Sequence, residues 1–360
     1  MRDPRLEEYA RLLVDRCTHI EPGWQVAVYT SPLSRPLAEE VIRAIARRGA
    51  YAISRMTFGG GRLLERAWIA EAPEELLDEL PSIERYLHEH VDAVISIEAP
   101  ENTREETAIP AERLTRARRA GKRLLDRLSG HEIPWVVCQY PTPALAQEAG
   151  MSTAAFEDFL LGACLQDWDA LGETMRRYAE RLDRAEEVRI VGEGTDVTVG
   201  LSGRSAIVSD GRRNMPDGEF FYAPVEDSAE GTITFSEFPA DSNGRILRGI
   251  RLRFEGGVVV EAEAETEVEH LHGLLDTDEG ARRLGELGIG CNPGITQYLM
   301  NTLFDEKMNG TIHLALGNSY TAAGGKNASA IHWDIVKDLR NGGRLYADGE
   351  LVQEDGRWLI

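Results

Sequence analysis

Cysteine, lysine, net positive charge and long apolar runs are all in short supply in this chain, and each shortage excludes something. The four cysteines, Cys17, Cys138, Cys164 and Cys291, lie far apart and form no CxxC pair. With Arg2, Asp3 and Pro4 after Met1 in place of an apolar leader, they read as reduced thiols in a cytoplasmic protein. No stretch comes near the roughly eighteen uninterrupted apolar residues that a membrane span needs. Only four lysines occur (Lys122, Lys307, Lys326 and Lys337), so arginine carries nearly all the positive charge. A net charge of −21 argues against nucleic-acid binding, which needs a basic patch.

What is present fits a soluble globular protein. Hydrophobic residues at 42% with 28% charged residues support a real core, and 360 residues make two domains the default. The first half alternates strand and helix signals. Gln25–Thr30, Tyr51–Met56, Asp92–Ile97 and Pro134–Tyr140 have the composition of short buried strands. Between them lie a helical repeat over Leu37–Arg48, with Gly49 as its stop, and an Arg-rich helical stretch over about 104–128. That rhythm predicts parallel βαβ units in an open α/β domain over residues 1–185, closed by a long helical stretch from about Ala154 to Ala185. From Glu187 the runs become short, alternating and turn-punctuated, as in Val188–Val191, Asp196–Val199, Gly231–Phe235, Gly249–Phe254 and Val258–Ala262. Residues 186–360 are therefore expected to form a β-rich α+β domain with hairpins such as the one at Glu255-Gly256-Gly257. The cluster Gly59-Gly60-Gly61 lacks both GxxxxGK[ST] and a properly placed GxGxxG, so it is expected to be a turn and not a phosphate loop.

The chemistry concentrates near the C-terminus. Two of the eight histidines, His313 and His332, stand in apolar strand-like runs, and His332-Trp333-Asp334 puts imidazole and carboxylate on one strand face. That pairing suits a divalent cation. A core histidine satisfied by hydrogen bonds is the plain alternative for His313. Upstream, Pro216-Asp217-Gly218 forms a turn that delivers Glu219 to an aromatic strand, as a ligand or as a solvated carboxylate. Glu286 is the sole charge in the run Leu284–Gly294; if buried it needs a cation, donors or a proton, because an unpaired buried carboxylate costs about 3 kcal/mol or more. His88-Glu89-His90 is expected on a helix surface, where i and i+2 do not face one another. His270-Leu271-His272 is a strand-spaced rival metal pair.

These segments resemble the M29 family of bacterial metallopeptidases, the aminopeptidase T and aminopeptidase S group. The likeness runs through most of the chain, from Leu6–Val14 and Glu21–Val28 to Asn214–Glu219, Leu284–Gly288, Ile312–Gly317, Tyr320 and His332-x-Asp334. It implies a metal-dependent aminopeptidase that removes N-terminal residues from peptides with a water activated by two divalent metal ions (Zn, Co, Mn or Mg). The family's ligand set corresponds to Glu219, Glu286, His313, His332 and Asp334, with Glu286 or Asp334 as the bridging carboxylate. Tyr320 corresponds to a family tyrosine near the metals, expected to stabilise the oxyanion. Glu306 corresponds to a family glutamate, and Glu306 or Glu286 is expected to carry the proton. A homodimer is implied as well. The spacing from Glu306 to His313 is slightly longer than in the best-known members, and the segment after Glu286 departs from the commonest pattern. Ring-cleaving iron dioxygenases of hydroxypyridines share the scaffold. The alternative is therefore a mononuclear Fe(II) dioxygenase using His313, His332 and one acid.

Overall fold

A computed structural model describes residues 3–58, 64–129, 132–242 and 244–360, so the glycine cluster at 59–61 lies outside the described residues. The chain divides into two compact units. The first holds residues up to Leu165 together with Gly211–Pro216, and the second holds Gln166–Asp210 with Asp217–Ile360. Residue 185, where the sequence rhythm changes, stands between the helix Trp168–Leu182 and the strand Glu187–Gly192 of the second unit.

The first unit is the expected open α/β layer. Its sheet is parallel throughout, in the order Tyr51–Met56, Gln25–Thr30, Ala93–Glu98, Trp135–Gln139 and Asn214–Met215. The Gln25–Thr30 strand is buried from Val26 onward, as a strand covered on both faces must be. The helix Arg35–Arg47 ends at Gly49, whose φ of +74° is the left-handed geometry a glycine stop supplies. Two long helical expectations break. The Arg-rich stretch splits into Glu105–Ala108, Ala111–Ala120 and Lys122–Ser129, because Pro110 cannot continue a helix from within and Gly121 caps the helix that follows it. The 154–185 stretch splits into Thr153–Cys164 and Trp168–Leu182, the second capped by Asp167 accepting from Ala170 N.

His88 also departs from expectation. It is buried on the helix Ser82–His90, with Nε2 3.1 Å from the Tyr29 hydroxyl, whereas His90 is exposed as expected. The reason is helical geometry: two residues apart, one side chain turns toward the sheet while the other turns away. All four cysteines are buried thiols. Among the described residues no helix is long and apolar enough to cross a membrane.

The second unit is antiparallel. An eight-stranded sheet runs in the order Val258–Glu263, Ile250–Glu255, Glu230–Phe235, Thr195–Gly200, Glu187–Gly192, Arg344–Ala347, Glu350–Glu354 and Arg357–Trp358. A five-stranded sheet runs His332–Asp338, Thr311–Gly317, Leu284–Gly290, Glu219–Tyr222 and Ile207–Ser209. Val188, Ile190, Val197, Phe235 and Phe254 from the larger sheet share one core with Phe220, Tyr222, Leu287, Ile289, Ile312, Leu314, Leu316 and Ile335 from the smaller. Strand alternation then assigns the remaining positions of the smaller sheet to its other face: Glu219, Glu286, Gly288, His313, Ala315, Gly317, His332 and Asp334. The polar residues singled out in the sequence therefore share a face because their neighbours at odd spacing fill the core.

Candidate metal centre

Register brings these residues together. Gly288 pairs with His313 and Phe221, Ala315 with Asp334 and Glu286, and Gly317 with His332. A bulge between Leu284 and Glu286 shifts the pairing beside Glu286. Gly288, Ala315 and Gly317 are small, which leaves room above the sheet. The room is used at once: a Cβ on Gly288 would lie 1.9 Å from His313 Cε1, so the imidazole rests directly on the neighbouring strand. The Glu219 strand is anchored from its turn, where Asn292 Nδ2 donates to Asp217 O at 2.7 Å and Cys291 N donates to Gly218 O at 2.8 Å.

Among the described residues, three groups of potential ligand atoms fall within 4.8 Å of one another: Glu219, Glu286 and His313; Glu286, His332 and Asp334; and Glu306, His313 and Asp334. His313 Nε2 lies 3.3 Å from Glu286 Oε1, 3.7 Å from Glu219 Oε2 and 3.9 Å from Asp334 Oδ1. His332 Nε2 lies 3.4 Å from Glu286 Oε2 and 3.6 Å from Asp334 Oδ1. Glu286 thus shows one oxygen to each imidazole. Glu219, Glu286 and His313 are buried, whereas the His332 side chain retains 25% exposure and marks the side open to solvent. Both outcomes left open by the sequence for Glu219 and Glu286 resolve to burial.

The histidines are held by their far nitrogens. His313 Nδ1 lies 3.1 Å from Glu306 O, and His332 Nδ1 lies 2.7 Å from Asn318 O. A carbonyl can only accept, so Nδ1 carries the proton in both rings and Nε2 is the nitrogen aimed into the cluster. Burial works against the charge on Glu286, but hydrogen bonds from His313 and His332 outweigh it and hold the carboxyl down at about 2. Burial likewise opposes the imidazolium forms, yet the hydrogen bonds and charges of Glu286, with Asp334 and, at His313, Glu219, push His313 up to about 10 and His332 up to about 9. Burial pushes Glu219 up to about 8 and, with the charge of Glu306, Asp334 up to about 6. Metal-free, the site is a knot of carboxylates held by protons. Two buried oxygens in it, Glu219 Oε2 and Asp334 Oδ1, accept no hydrogen bond from the described residues. Orphaned carboxylate atoms beside imidazole nitrogens whose tautomer is fixed are what a divalent cation fits.

Tyr320 is exposed, with its ring centroid 5.3 Å from that of Phe221 and 5.2 Å, edge-on, from that of His332. Desolvation of the hydroxyl and the charges of Glu286 and Asp334 push it well above the usual phenol range, so it stays protonated. Glu306 ends the short helix Thr302–Asp305 and reaches the cluster beside His313 and Asp334. His270 and His272 lie on the helix Val268–Leu275 and not on a strand; they face different ways, and His270 Nε2 lies 3.1 Å from Ser242 Oγ. Neither belongs to a metal-sized group among the described residues. Sequence reasoning missed Gly288 and Lys307. Lys307 is wholly buried, with Nζ 3.3 Å from Glu219 Oε1 and in contact with Glu306 Oε1. Its one visible signal was rarity, since few lysines occur and this one adjoins a candidate site residue.

The chain is similar to known proteins along nearly its whole length. The profile of the thermophilic metalloprotease (M29) family matches residues 2–358. Aminopeptidase T of Thermus aquaticus is 29% identical, the match covering 99% of this chain and 98% of the relative. The structure of wild-type AmpT from Thermus thermophilus superposes with a TM-score of 0.85 at 26% identity, covering 99% of both chains. The 2,5-dihydroxypyridine dioxygenase of Pseudomonas putida KT2440 shares the fold at a TM-score of 0.61 and 16% identity, over 99% of this chain and 97% of that one.

Proposed function

This chain belongs to the thermophilic metalloprotease (M29) family, and from that premise we propose a metal-dependent aminopeptidase whose reaction centre is built from Glu219, Glu286, His313, His332 and Asp334. The observation that carries the site is the pair of histidines whose Nδ1 atoms face main-chain carbonyls while their Nε2 atoms face opposite oxygens of Glu286. Glu219, Glu286 and His313 would hold one ion, and Glu286, His332 and Asp334 the other. Two divalent ions per chain fit this division, with Zn, Co or Mn suited to the mixed imidazole and carboxylate donors.

Bound cations of this kind supply hydroxide at neutral pH, by lowering the pKa of water from 15.7 toward about 7. The protein's own groups do the rest. Tyr320, kept protonated, donates its hydroxyl to the oxygen of the scissile carbonyl as charge develops there. Glu306, at the edge of the cluster, would take the proton released when water becomes hydroxide and pass it to the leaving amine. The free N-terminal amine of a peptide, in its neutral form, is a nitrogen donor that such an ion would hold, and this confines cleavage to that end. The exposed edge of His332 and Tyr320 is where the peptide enters.

Metal analysis combined with a panel of aminoacyl chromogenic substrates tests this reading. The expected results are about two divalent ions per chain, loss of turnover on chelation and recovery with Co²⁺ or Zn²⁺. His332→Ala is expected to lower turnover at least a hundredfold, roughly the scale of losing a metal-orienting contact, with the far-UV CD spectrum unchanged. Turnover that survives thorough metal removal would sink the proposal. One oxygen-sensitive iron per chain with ring cleavage would restore the dioxygenase. The family likeness also underlies a proposed cytoplasmic homodimer, which sedimentation of the purified chain tests.

A further inference from the structure

Lys307 is the one charged residue of the cluster that the proposed reaction leaves without a task. Its position is constructed with care. Lys307 N donates to Phe304 O at 3.0 Å, and Lys307 O accepts from Asn292 N at 2.9 Å. The adjacent Asp305 accepts from Leu299 N at 2.7 Å and Asn301 N at 2.6 Å, closing the loop before it. A Cβ on Gly290 would lie 2.1 Å from Met308 O, so glycine there lets the Lys307 turn rest on the Leu284–Gly290 strand. Burying an ammonium costs several kcal/mol in lost hydration, and an apolar side chain would fill the same space without that penalty.

The contacts show what the charge does. Glu219 turns Oε1 to Lys307 at 3.3 Å, and its other oxygen, Oε2, is the orphan that faces His313 Nε2. Glu306 gives its Oε1 to the same ammonium. Resting on the metal-centre reading above, we propose that Lys307 is a positioning residue that reserves one oxygen of Glu219 and one of Glu306, limiting Glu219 to a single-oxygen ligand and keeping Glu306 out of direct coordination. Glu306 otherwise stands within ligand distance of His313 and Asp334. As an extra ligand it would fill a coordination position that substrate needs and lose its basicity to the cation. A tethered ammonium prevents both, because it binds carboxylate strongly and cannot itself ligate a metal.

The test uses the full chain loaded with Co²⁺, whose visible absorption reports coordination number and whose affinity is read by competition with a chelator. Lys307→Met removes the charge at similar length. The expected result is Co²⁺ binding about tenfold tighter or more, with weaker visible absorption as freed carboxylate oxygens add to the coordination. Glu306→Gln, with Lys307 retained, is expected to leave the Co²⁺ spectrum as in the wild type, since Glu306 is not a ligand. An unchanged spectrum and affinity in Lys307→Met, or weaker binding, overturns the proposal, as does an altered spectrum in Glu306→Gln. Should Lys307→Met fail to fold, the Glu306→Gln spectrum decides alone. Wild-type protein that binds no Co²⁺ removes the metal centre itself. Wild-type binding with either contrary variant result removes only the role of Lys307.

Discussion

At the scale of single residues, the site depends as much on side chains that are absent as on those present. His313 can lie across its neighbouring strand only because position 288 has no Cβ, and its ring is pinned from behind by Glu306 O. Gly288→Ala would force either the ring or the strand to move, at about 1–3 kcal/mol for overpacking a tight site. We expect metal affinity to fall about 10–100-fold, in line with the loss of a ligand's orientation, together with a lower Tm. Chelator competition on the variant checks this, and wild-type affinity would show that the imidazole can tilt aside. Glu286 was legible from sequence because a lone charge in an apolar run demands a partner. Gly288 was not, since a glycine among glycines carries no local mark of the ring that crosses it. Lys307 showed only its rarity and its place beside Glu306, because its partner Glu219 is distant in sequence.

At the scale of elements, alternation explains most of what could be read. The strands Leu284–Gly290, Thr311–Gly317 and His332–Asp338 each send one set of side chains to the shared core and the other to the ligand face. A period of two makes that sorting visible in His332-x-Asp334, and the runs around His313 and His332 read as strand-like, whereas the Glu286 segment showed only an apolar, glycine-rich run. Helices were less well bounded where proline or a capping acid interrupts them, as at Pro110 and Asp167. The helix Ser82–His90 yields a prediction of its own. Burial, with the positive charges of Arg55 and Arg127, pushes His88 down to about 4, although Glu84 Oε2 lies 3.9 Å away and the Tyr29 hydroxyl holds Nε2. The unfolded chain takes up a proton near pH 6.5 while folded His88 refuses it down to about 4. Stability is therefore whole above pH 6.5 and falls as the pH drops through that window, by up to about 3 kcal/mol. His88→Gln keeps a partner for Tyr29 without a titrating ring, and should flatten denaturant stability between pH 6.5 and 4. An unaltered pH slope in that variant would place the acid sensitivity elsewhere.

At the scale of the whole molecule, metal binding and stability are linked, because the unfolded chain scatters ligands that lie up to 115 positions apart, from Glu219 to Asp334. A cation that binds only the folded form adds about 2.7 kcal/mol at a hundredfold excess over its Kd. Chelated protein should accordingly melt at a lower temperature than reloaded protein, with the gap widening as metal concentration rises. Equal Tm values with and without metal would mean that the cluster holds no cation tightly. Sequence alone determined the α/β and antiparallel character of the two parts, because periodicity is a local property, and the resemblance of its motifs to a known family supplied the candidate ligands. Only the tertiary structure decided that Glu286 stands between two imidazoles, that His88 is buried, and that Lys307 occupies one oxygen of Glu219. Those facts depend on strand register and on contacts between distant segments, which no local pattern of residues encodes.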